Sequence, residues 1–246
     1  MSSHTKCIHQ IKKTGIGKEK DKKLSIILLN SLCAYRMRSF GPRCLLKLNN
    51  GEMLIDSQLK LLREYYPNSE IIMTIGFDAE KIIKKKIAGV RYVENQLFEN
   101  TNIAEEIRLG INNCETSNIL LIQGETVLTH DAVSNITKNG SCILCVDQVS
   151  NDEDDVGATV INDYLSILAH GLQPKFGGIA FITDPELNFF KNHICVKENN
   201  NLYLFELINL LAQKYQKIKV IHPSESTLLR IESIKDIQCQ DKTIQN

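Results

Sequence analysis

Short apolar runs alternate with amphipathic segments through the first 146 residues of the chain. Four runs are almost free of polar positions after their first residue, which is typical of strands buried on both faces of a parallel sheet: 25–29, 70–75, 118–122 and 141–146. A shorter strand is predicted at 90–93. Apolar residues recur at helical spacing between these runs, which predicts helices at 55–66, 79–88, 102–114 and 131–137. Strand and helix thus alternate, and this order predicts right-handed crossovers and a mostly parallel sheet.

The pattern changes after residue 150. Two short runs, 158–161 and 165–168, flank Asn162-Asp163, a pair that favours a tight hairpin turn. The remaining elements are a strand at 177–183, helices at 185–193 and 202–214, a strand at 218–221 and a helical turn at 233–237. We therefore predict one Rossmann-like three-layer α/β/α domain over residues 24–240 with a mixed, mostly parallel sheet. Residues 1–23 are predicted to be a disordered basic tail, and residues 241–246 a short tail.

Composition and charge argue against several classes of protein. The apolar fraction of 43% is typical of a globular domain, and a formal net charge of zero gives no strong signal for nucleic acid or membrane partners. No apolar run approaches the roughly 20 residues of a membrane-spanning helix. The N-terminal segment lacks the apolar stretch of a secretory signal. The eight cysteines lie mostly within apolar runs, which predicts reduced, buried thiols and a cytoplasmic protein.

Three local patterns allow more than one interpretation. Cys142 and Cys145 have the spacing of a redox or metal pair, but positions three apart in a strand face opposite sides, which favours structural thiols. The acidic segment 151–155 is compatible with a cation or a cationic acceptor, although a solvated loop is the simpler interpretation. The pair Gly177-Gly178 either brings the backbone close to an acceptor or forms a bulge.

Three motifs follow the first predicted strand in a fixed order. Arg36-Met37 comes first, Pro42-Arg43 followed by two leucines comes next, and Asn50-Gly51 closes the series. Their order and spacing resemble the sugar-phosphate and phosphocholine nucleotidyltransferases, which have a glycine-rich nucleotide loop followed by Pro-Lys-x-Leu-Leu and Asn-Gly. Leu32 and Ala34 stand where that loop has two glycines. Arginine also replaces the lysine of the second motif, which keeps the charge and changes the geometry.

Two distant carboxylates extend the resemblance. Gly124-Glu125 follows the strand at 118–122, where the family has Gly-Asp. The segment 230–237 resembles the family's Glu-Ile-Asp-Thr-Pro-Glu-Asp-Leu, with Arg230 at the first Glu, Glu232 at the metal-binding Asp and Asp236 at a structural Asp. The resemblance implies that Glu125 and Glu232 hold Mg²⁺. Both are one methylene longer than aspartate, which matters because Mg²⁺ tolerates little geometric error.

The resemblance also assigns the remaining site residues. Arg36 and Arg43 are the implied catalytic residues, because they clamp phosphates. The implied nucleotide-binding residues are Asn30, Ser31, Leu32, Ala34, Arg36, Asn95, Thr101 and Asn102. Asn102 is equally well explained as the N-cap of the helix at 102–114.

The implied reaction transfers a nucleotidyl group from an NTP to a phosphorylated small acceptor, of the sugar phosphate or phosphocholine type, with release of pyrophosphate. The alternative is a catalytically inactive domain that serves as a binding or assembly module. A glycosyltransferase of related fold is a third hypothesis. It calls for an Asp-x-Asp motif after a central strand, and the nearest match, Asp152-Glu153-Asp154, lies in a polar segment.

Overall fold

The computed structural model describes residues 24–33, 35–134, 136, 140–146, 155–223, 229–231 and 236–237, without the side chains of residues 35, 36 and 229. The predicted tails, the acidic segment 151–154 and most of the predicted turn at 233–237 lie outside these residues. The extent of the domain over 24–240 therefore stays a prediction.

The strands and helices follow one another largely as the apolar pattern predicts. The strands are β1 (Ser25–Asn30), β2 (Glu70–Ile75), β3 (Val90–Glu94), β4 (Ile119–Gln123), β5 (Thr126–Val127), β6 (Cys142–Val146), β7 (Val156–Ile161), β8 (Tyr164–His170), β9 (Lys175–Ile182), β10 (Lys219–Ile221) and β11 (Leu229–Arg230). The helices are α1 (Leu54–Tyr65), α2 (Ala79–Ile83), α3 (Ile103–Asn112), α4 (His130–Ser134), α5 (Glu186–Ile194) and α6 (Leu204–Tyr215).

Within the described part of the chain, nine strands form one sheet in the order β3-β2-β1-β4-β9-β6-β10-β8-β7. Strands β8 and β9 run opposite to the other seven, which confirms a mixed, mostly parallel sheet. The chain moves from β1 outward to β2 and β3, and then places β4 on the other side of β1. This reversal is a topological switch point, and sheets of this kind bind ligands in the crevice beyond the carboxyl ends of such strands.

Side chains of β1 alternate between two apolar layers. Ile26 and Leu28 pack in the cluster that contains residues of α1, α2 and α4. Ile27 and Leu29 pack on the other face with residues of α3, α5 and α6. The sheet therefore lies between two layers of helices, which confirms the three-layer α/β/α architecture.

The hairpin prediction and the interpretation of Cys142 and Cys145 as structural thiols are confirmed. The prediction of buried thiols is wrong for Cys195, which is exposed. Asn162 and Asp163 join β7 to β8 with φ of 50° and 67°, the left-handed pair that a tight hairpin turn requires. Cys142 and Cys145 lie in the two opposite apolar clusters, so they do not form a pair. Gly178 has φ of 72°, and the pairing of β9 with β6 shifts register beside it, which is the geometry of a bulge.

The helix predicted at 79–88 is wrong in its length. The α-helix ends at Ile83, and Lys86 adopts a left-handed φ of 48°. Ile82 is the member of this segment that is fully buried, whereas Ile83 is 39% exposed. The lysine-rich continuation has too little apolar surface to pack against the sheet, so further helical turns gain no tertiary stabilisation.

Candidate functional site

The loop after β1 starts at Ser31, which is fully buried. Its backbone N–H donates to Oε1 of Glu106 in α3 at 2.7 Å, and its carbonyl accepts from the N–H of Phe77 at 2.9 Å. Gly76 is needed at this contact, because a Cβ there would lie 2.7 Å from the Ser31 carbonyl oxygen. The first residue of the predicted nucleotide loop is therefore held by α3 and by the segment after β2.

Three of the predicted nucleotide-binding residues lie together. The Asn95 amide nitrogen contacts Oγ1 of Thr101 at 3.2 Å and Oγ of Ser31 at 3.5 Å. Asn102 instead accepts a hydrogen bond from the N–H of Ile103 at 2.8 Å, so its interpretation as the N-cap of α3 is confirmed. Contact of these residues with a nucleotide stays a prediction.

Met37 connects the loop to the C-terminal part of the chain. Its side chain is 2% exposed and belongs to a small cluster with Leu48, Leu54 and Ile231. The predicted site residues Ala34 and Arg36 are not described, apart from the backbone of Arg36. The Arg-Met motif thus includes a core residue that holds the loop against residue 231.

The turn after β4 places Glu125 beside this loop. Gly124 permits the turn, because a Cβ there would lie 2.0 Å from Oδ1 of Asn30. The fully buried Gln58 of α1 donates its amide to the carbonyls of Gly124 at 3.2 Å and Thr126 at 2.7 Å. Glu125 itself is 4% exposed, so its carboxylate lies within the protein at the switch point.

Each carboxylate oxygen of Glu125 faces a guanidinium group. Oε1 lies 3.0 Å from Nη2 of Arg230, and Oε2 lies 3.3 Å from Nη2 of Arg43. Burial alone raises the pKa of Glu125, but the two arginine charges outweigh burial and hold this pKa below its ordinary value. Glu125 is therefore a charged, buried carboxylate at neutral pH.

Arg230 reaches Glu125 through a second small sheet. Strand β11 pairs with β5 in antiparallel register, with Arg230 opposite Thr126. The N–H of Ile231 also donates to the carbonyl of Glu125 at 2.9 Å. This brings residues 230 and 231 of the C-terminal segment to the turn after β4, whereas Glu232 lies outside the described residues.

Glu106 is a second buried carboxyl group at the site, and the sequence analysis did not select it. It is 1% exposed, and its Oε1 accepts hydrogen bonds from the Ser31 N–H and from Oγ1 of Thr74 in β2. Burial raises the pKa of Glu106 to about 7, the two hydrogen bonds oppose the rise, and the charge of Glu125 adds to it. Its helical position, three residues after Ile103 on the apolar face of α3, was a signal that could have identified it.

These groups surround a small cavity of about 40 Å³ at the carboxyl ends of β1 and β4. Its lining residues are Leu29, Asn30, Leu32, Arg43, Ile103, Glu106, Gln123 and Glu125. Leu32 also packs against the apolar cluster of α3, so this replacement of a glycine adds a side chain to the wall of the cavity. A larger groove of about 420 Å³ lies elsewhere, between α1 and residues 85–88, and it contains none of the predicted site residues.

Known structures identify the architecture. No protein-family model and no curated protein sequence matches the chain. The CTP:phosphocholine cytidylyltransferase from Streptococcus pneumoniae is 18% identical, with a TM-score of 0.75, and the match covers 91% of this chain and 100% of that one. The chain has the nucleotidyltransferase fold.

Two further structures agree with this result. The inositol-1-phosphate CTP transferase from T. maritima is 15% identical with a TM-score of 0.69, and the match covers 88% of this chain and 92% of that one. The nucleoside-diphosphate-sugar pyrophosphorylase from Vibrio cholerae RC9 is 14% identical with a TM-score of 0.66, with 87% and 98% covered. At this identity the likeness establishes a divergent nucleotidyltransferase fold, whereas the roles of single residues stay predictions.

The residues that the structure describes do not fit a metal ion at Glu125. Mg²⁺ needs oxygen ligands at about 2.0–2.1 Å in an octahedral arrangement. Both oxygens of Glu125 already face cationic groups, and the described residues contain no cluster of three His, Cys, Asp or Glu side chains suited to a metal. The metal-binding role of Glu125 and Glu232 in this nucleotidyltransferase fold remains a prediction from the family resemblance.

No helix within the described residues is long and apolar enough to cross a membrane. The absence of a membrane partner and the cytoplasmic location both stay predictions.

Proposed function

We propose that this protein is a nucleotidyltransferase, which transfers a nucleotidyl group from an NTP to a phosphorylated small acceptor and releases pyrophosphate. One observation carries the proposal. Ser31, Asn95, Arg43 and Glu125 are far apart in the sequence, yet they surround the switch point between β1 and β4. Parallel sheets bind ligands at this place, and Arg43 and Glu125 come from two of the motifs that resemble the family.

The proposed reaction requires no covalent bond between the protein and the substrates. An oxygen of the acceptor phosphate attacks the α-phosphorus of the NTP, and the bond from the α-phosphorus to the bridging oxygen of the β-phosphate breaks. That oxygen leaves as part of pyrophosphate with the electron pair of the broken bond. Positioning and neutralisation of phosphate charge supply most of the catalysis in such reactions.

Residues of this chain are suited to both tasks, the positioning of the substrates and the neutralisation of phosphate charge. Arg43 supplies a permanent cation at the cavity, and we assign Arg36 the same task from the family resemblance. The hydrogen bonds of Ser31 to Glu106 and Asn95 fix the start of the loop that we expect to follow the phosphates. From the family resemblance, we expect the region 147–223, of which the structure describes residues 155–223, to shape the acceptor site.

The acceptor is proposed to be a sugar phosphate or a phosphocholine-type phospho-alcohol. This choice is supported by the three solved structures, whose names include phosphocholine, inositol-1-phosphate and a nucleoside-diphosphate sugar. These structures belong to one fold and act on different acceptors, so the assay has to offer several acceptors in parallel.

The test combines binding and turnover on the full chain. Thermal shift with CTP, UTP, GTP and ATP identifies the nucleotide, because a ligand that binds the native state raises its stability. Pyrophosphate release is then measured with that nucleotide and phosphocholine, inositol-1-phosphate or glucose-1-phosphate. We expect release with one acceptor and loss of release in the Arg43→Met variant. Stabilisation by none of the four nucleotides would overturn the proposal.

A catalytically inactive binding or assembly module is the second candidate. It is favoured by the side chain of Leu32 in the cavity wall and by the small volume of about 40 Å³ that remains. This candidate predicts stabilisation by a nucleotide without pyrophosphate release from any acceptor. Measured pyrophosphate release that depends on Arg43 would exclude it.

A further inference from the structure

Glu125, Arg43 and Arg230 form a charge cluster at the switch point, which we call the arginine–glutamate cluster. The carboxylate side chain is 5% exposed, and the side chains of Arg43 and Arg230 are 20% and 25% exposed. Two guanidinium groups therefore face one carboxylate. The carboxylate is thus inside the protein, whereas the side chains of both arginines are partly exposed.

This arrangement conflicts with a metal ion at Glu125. An approaching dication meets two guanidinium charges that lie 3.0 and 3.3 Å from the oxygens it needs. Like charges at such separations repel, and the repulsion is stronger in a partly buried site than in water. A metal ion would have to displace at least one arginine, and the displaced guanidinium would lose its contact with Glu125.

We propose that the arginine–glutamate cluster binds the phosphate groups of the nucleotide directly, so that a nucleoside triphosphate binds without a divalent cation. This inference rests on the nucleotide binding proposed above. Glu125 acts in it as a positioning residue, because its buried carboxylate fixes the orientation of both guanidinium groups. The charge neutralisation assigned to a metal in the family resemblance is supplied here by Arg43 and Arg230.

The chemistry of arginine supports this assignment. A guanidinium group is planar and always charged, and it carries five N–H donors that match the oxygens of phosphate in a bidentate contact. Arg43 lines the same cavity as Asn30 and Gln123, at the carboxyl ends of β1 and β4. The cluster therefore offers oriented cationic donors at the place where the fold binds phosphates.

The first experiment measures the affinity for the nucleotide with and without a metal ion. Calorimetric titration of the full chain is performed with CTP, UTP, GTP and ATP, once in MgCl₂ and once in EDTA. We expect one nucleotide to bind with dissociation constants that agree within about threefold in the two buffers. Binding in MgCl₂ alone would overturn this inference and leave the proposed nucleotide site intact. Binding in neither buffer would overturn the proposed function.

The second experiment changes the cluster. In EDTA, Arg43→Met and Arg230→Met are each expected to weaken nucleotide binding by about tenfold or more, because a charge-assisted contact to phosphate is lost. Arg43→Lys retains the charge without the planar fork and is expected to have an intermediate effect. Arg91→Met is the matched control, because Arg91 forms an ion pair with Glu70 at the start of β2. Equal affinity in all four variants would overturn the inference.

The third experiment tests the carboxylate with a metal alone. Mn²⁺ is titrated into the native chain and detected by its electron paramagnetic resonance signal. We expect no stoichiometric binding that depends on Glu125. Tight binding of one Mn²⁺ that disappears in the Glu125→Gln variant would show an open metal ligand and overturn the inference. This experiment needs no nucleotide, so it tests the cluster independently of the proposed function.

Discussion

Two glutamates of the same site have opposite electrostatic surroundings. Glu125 and Glu106 are both almost fully buried, and both line the cavity at the carboxyl ends of β1 and β4. Glu125 faces two arginines, which hold its pKa below the ordinary value despite burial. Glu106 has a hydroxyl group and a backbone N–H as partners, and burial raises its pKa to about 7.

The comparison separates two ways of placing a carboxyl group in an interior. Hydrogen bonds to neutral donors compensate only part of the desolvation of a charge, so Glu106 retains its proton to a higher pH. Full countercharges compensate more, so Glu125 stays ionised and anchors the cations. Glu106 therefore titrates near neutral pH, whereas Glu125 stays ionised there and keeps its two arginine partners.

The largest expected effect follows from removing both countercharges of Glu125. The double variant Arg43→Met/Arg230→Met leaves a buried carboxylate without a partner, which typically costs about 3–5 kcal/mol of stability. Urea unfolding at pH 8 measures the change. Adding Glu125→Gln to the double variant is expected to restore most of the loss, because no unpaired charge then remains.

The surface variant Arg91→Met is the control for this prediction. It removes one cation from an ion pair whose arginine is 45% exposed, and we expect a change of about 1 kcal/mol or less. A double variant that loses no more stability than Arg91→Met would show that the arginines do not compensate the charge of Glu125.

The next effect concerns the pH dependence that Glu106 confers. Its pKa is about 7 in the native state against an ordinary 4.5, so between these values the native state holds a proton that the unfolded state has released. This stabilisation is complete below pH 4.5 and is lost as the pH rises through about 7. Its size is on the order of 3 kcal/mol. Glu106→Gln is expected to remove this decrease from urea unfolding data between pH 5 and 8.

Glu125 confers the opposite pH dependence on stability, so its variant serves as a reference for Glu106→Gln. Because its pKa is lowered, its stabilisation is present above the ordinary value and is lost as the pH falls through its native pKa. Glu125→Gln therefore changes the acid side of the stability curve and leaves the decrease between pH 5 and 8 largely in place. If Glu106→Gln and the native protein show the same decrease, Glu106 does not titrate in this range.

Local patterns were sufficient for most of the fold. β1, β2, β4 and β6 were predicted within two residues at each end, because apolar runs of this length are compatible with few other environments. The helical spacing of the isoleucines predicts a longer α2 than the structure has, because Ile83 is largely exposed and does not anchor further turns. The helix stops where the lysine-rich continuation offers little apolar surface to the sheet.

The site was predictable only in part, because its decisive contacts are non-local. Glu125 was selected because Gly124-Glu125 follows an apolar strand where the resembling family has Gly-Asp, but its partner Arg230 comes from a strand 105 residues further along the chain. Glu106 was overlooked within an amphipathic helix, although a charged residue on the apolar face of α3 is unusual enough to be selected. Its partners Ser31 and Thr74 belong to two other elements, and only the folded arrangement joins them.

A smaller effect is expected from the hydroxyl group that contacts Glu106. Thr74→Val removes one donor to the carboxylate, which raises the pKa of Glu106 further and costs about 1 kcal/mol of stability. Carboxyl carbon shifts in NMR measure the titration directly. Thr116→Val is a matched control, because Thr116 is a buried, hydrogen-bonded threonine with contacts to Ser25 and Asn118. If the pKa of Glu106 changes equally in Thr74→Val and Thr116→Val, the hydrogen bond from Thr74 does not determine this pKa.

The smallest expected effect is the influence of one glutamate on the other. The charge of Glu125 contributes to the raised pKa of Glu106, and it does so less than burial. Glu125→Gln removes this negative charge, and it also removes the carboxylate that balances the positive charges of the two arginines. Each of these two effects lowers the pKa of Glu106. We expect the pKa of Glu106 to change by less than in Thr74→Val and in the opposite direction. Glu70→Gln, which disrupts an ion pair with Arg91, serves as the control. A pKa of Glu106 that rises in Glu125→Gln would mean that the two carboxyl groups do not share one electrostatic environment.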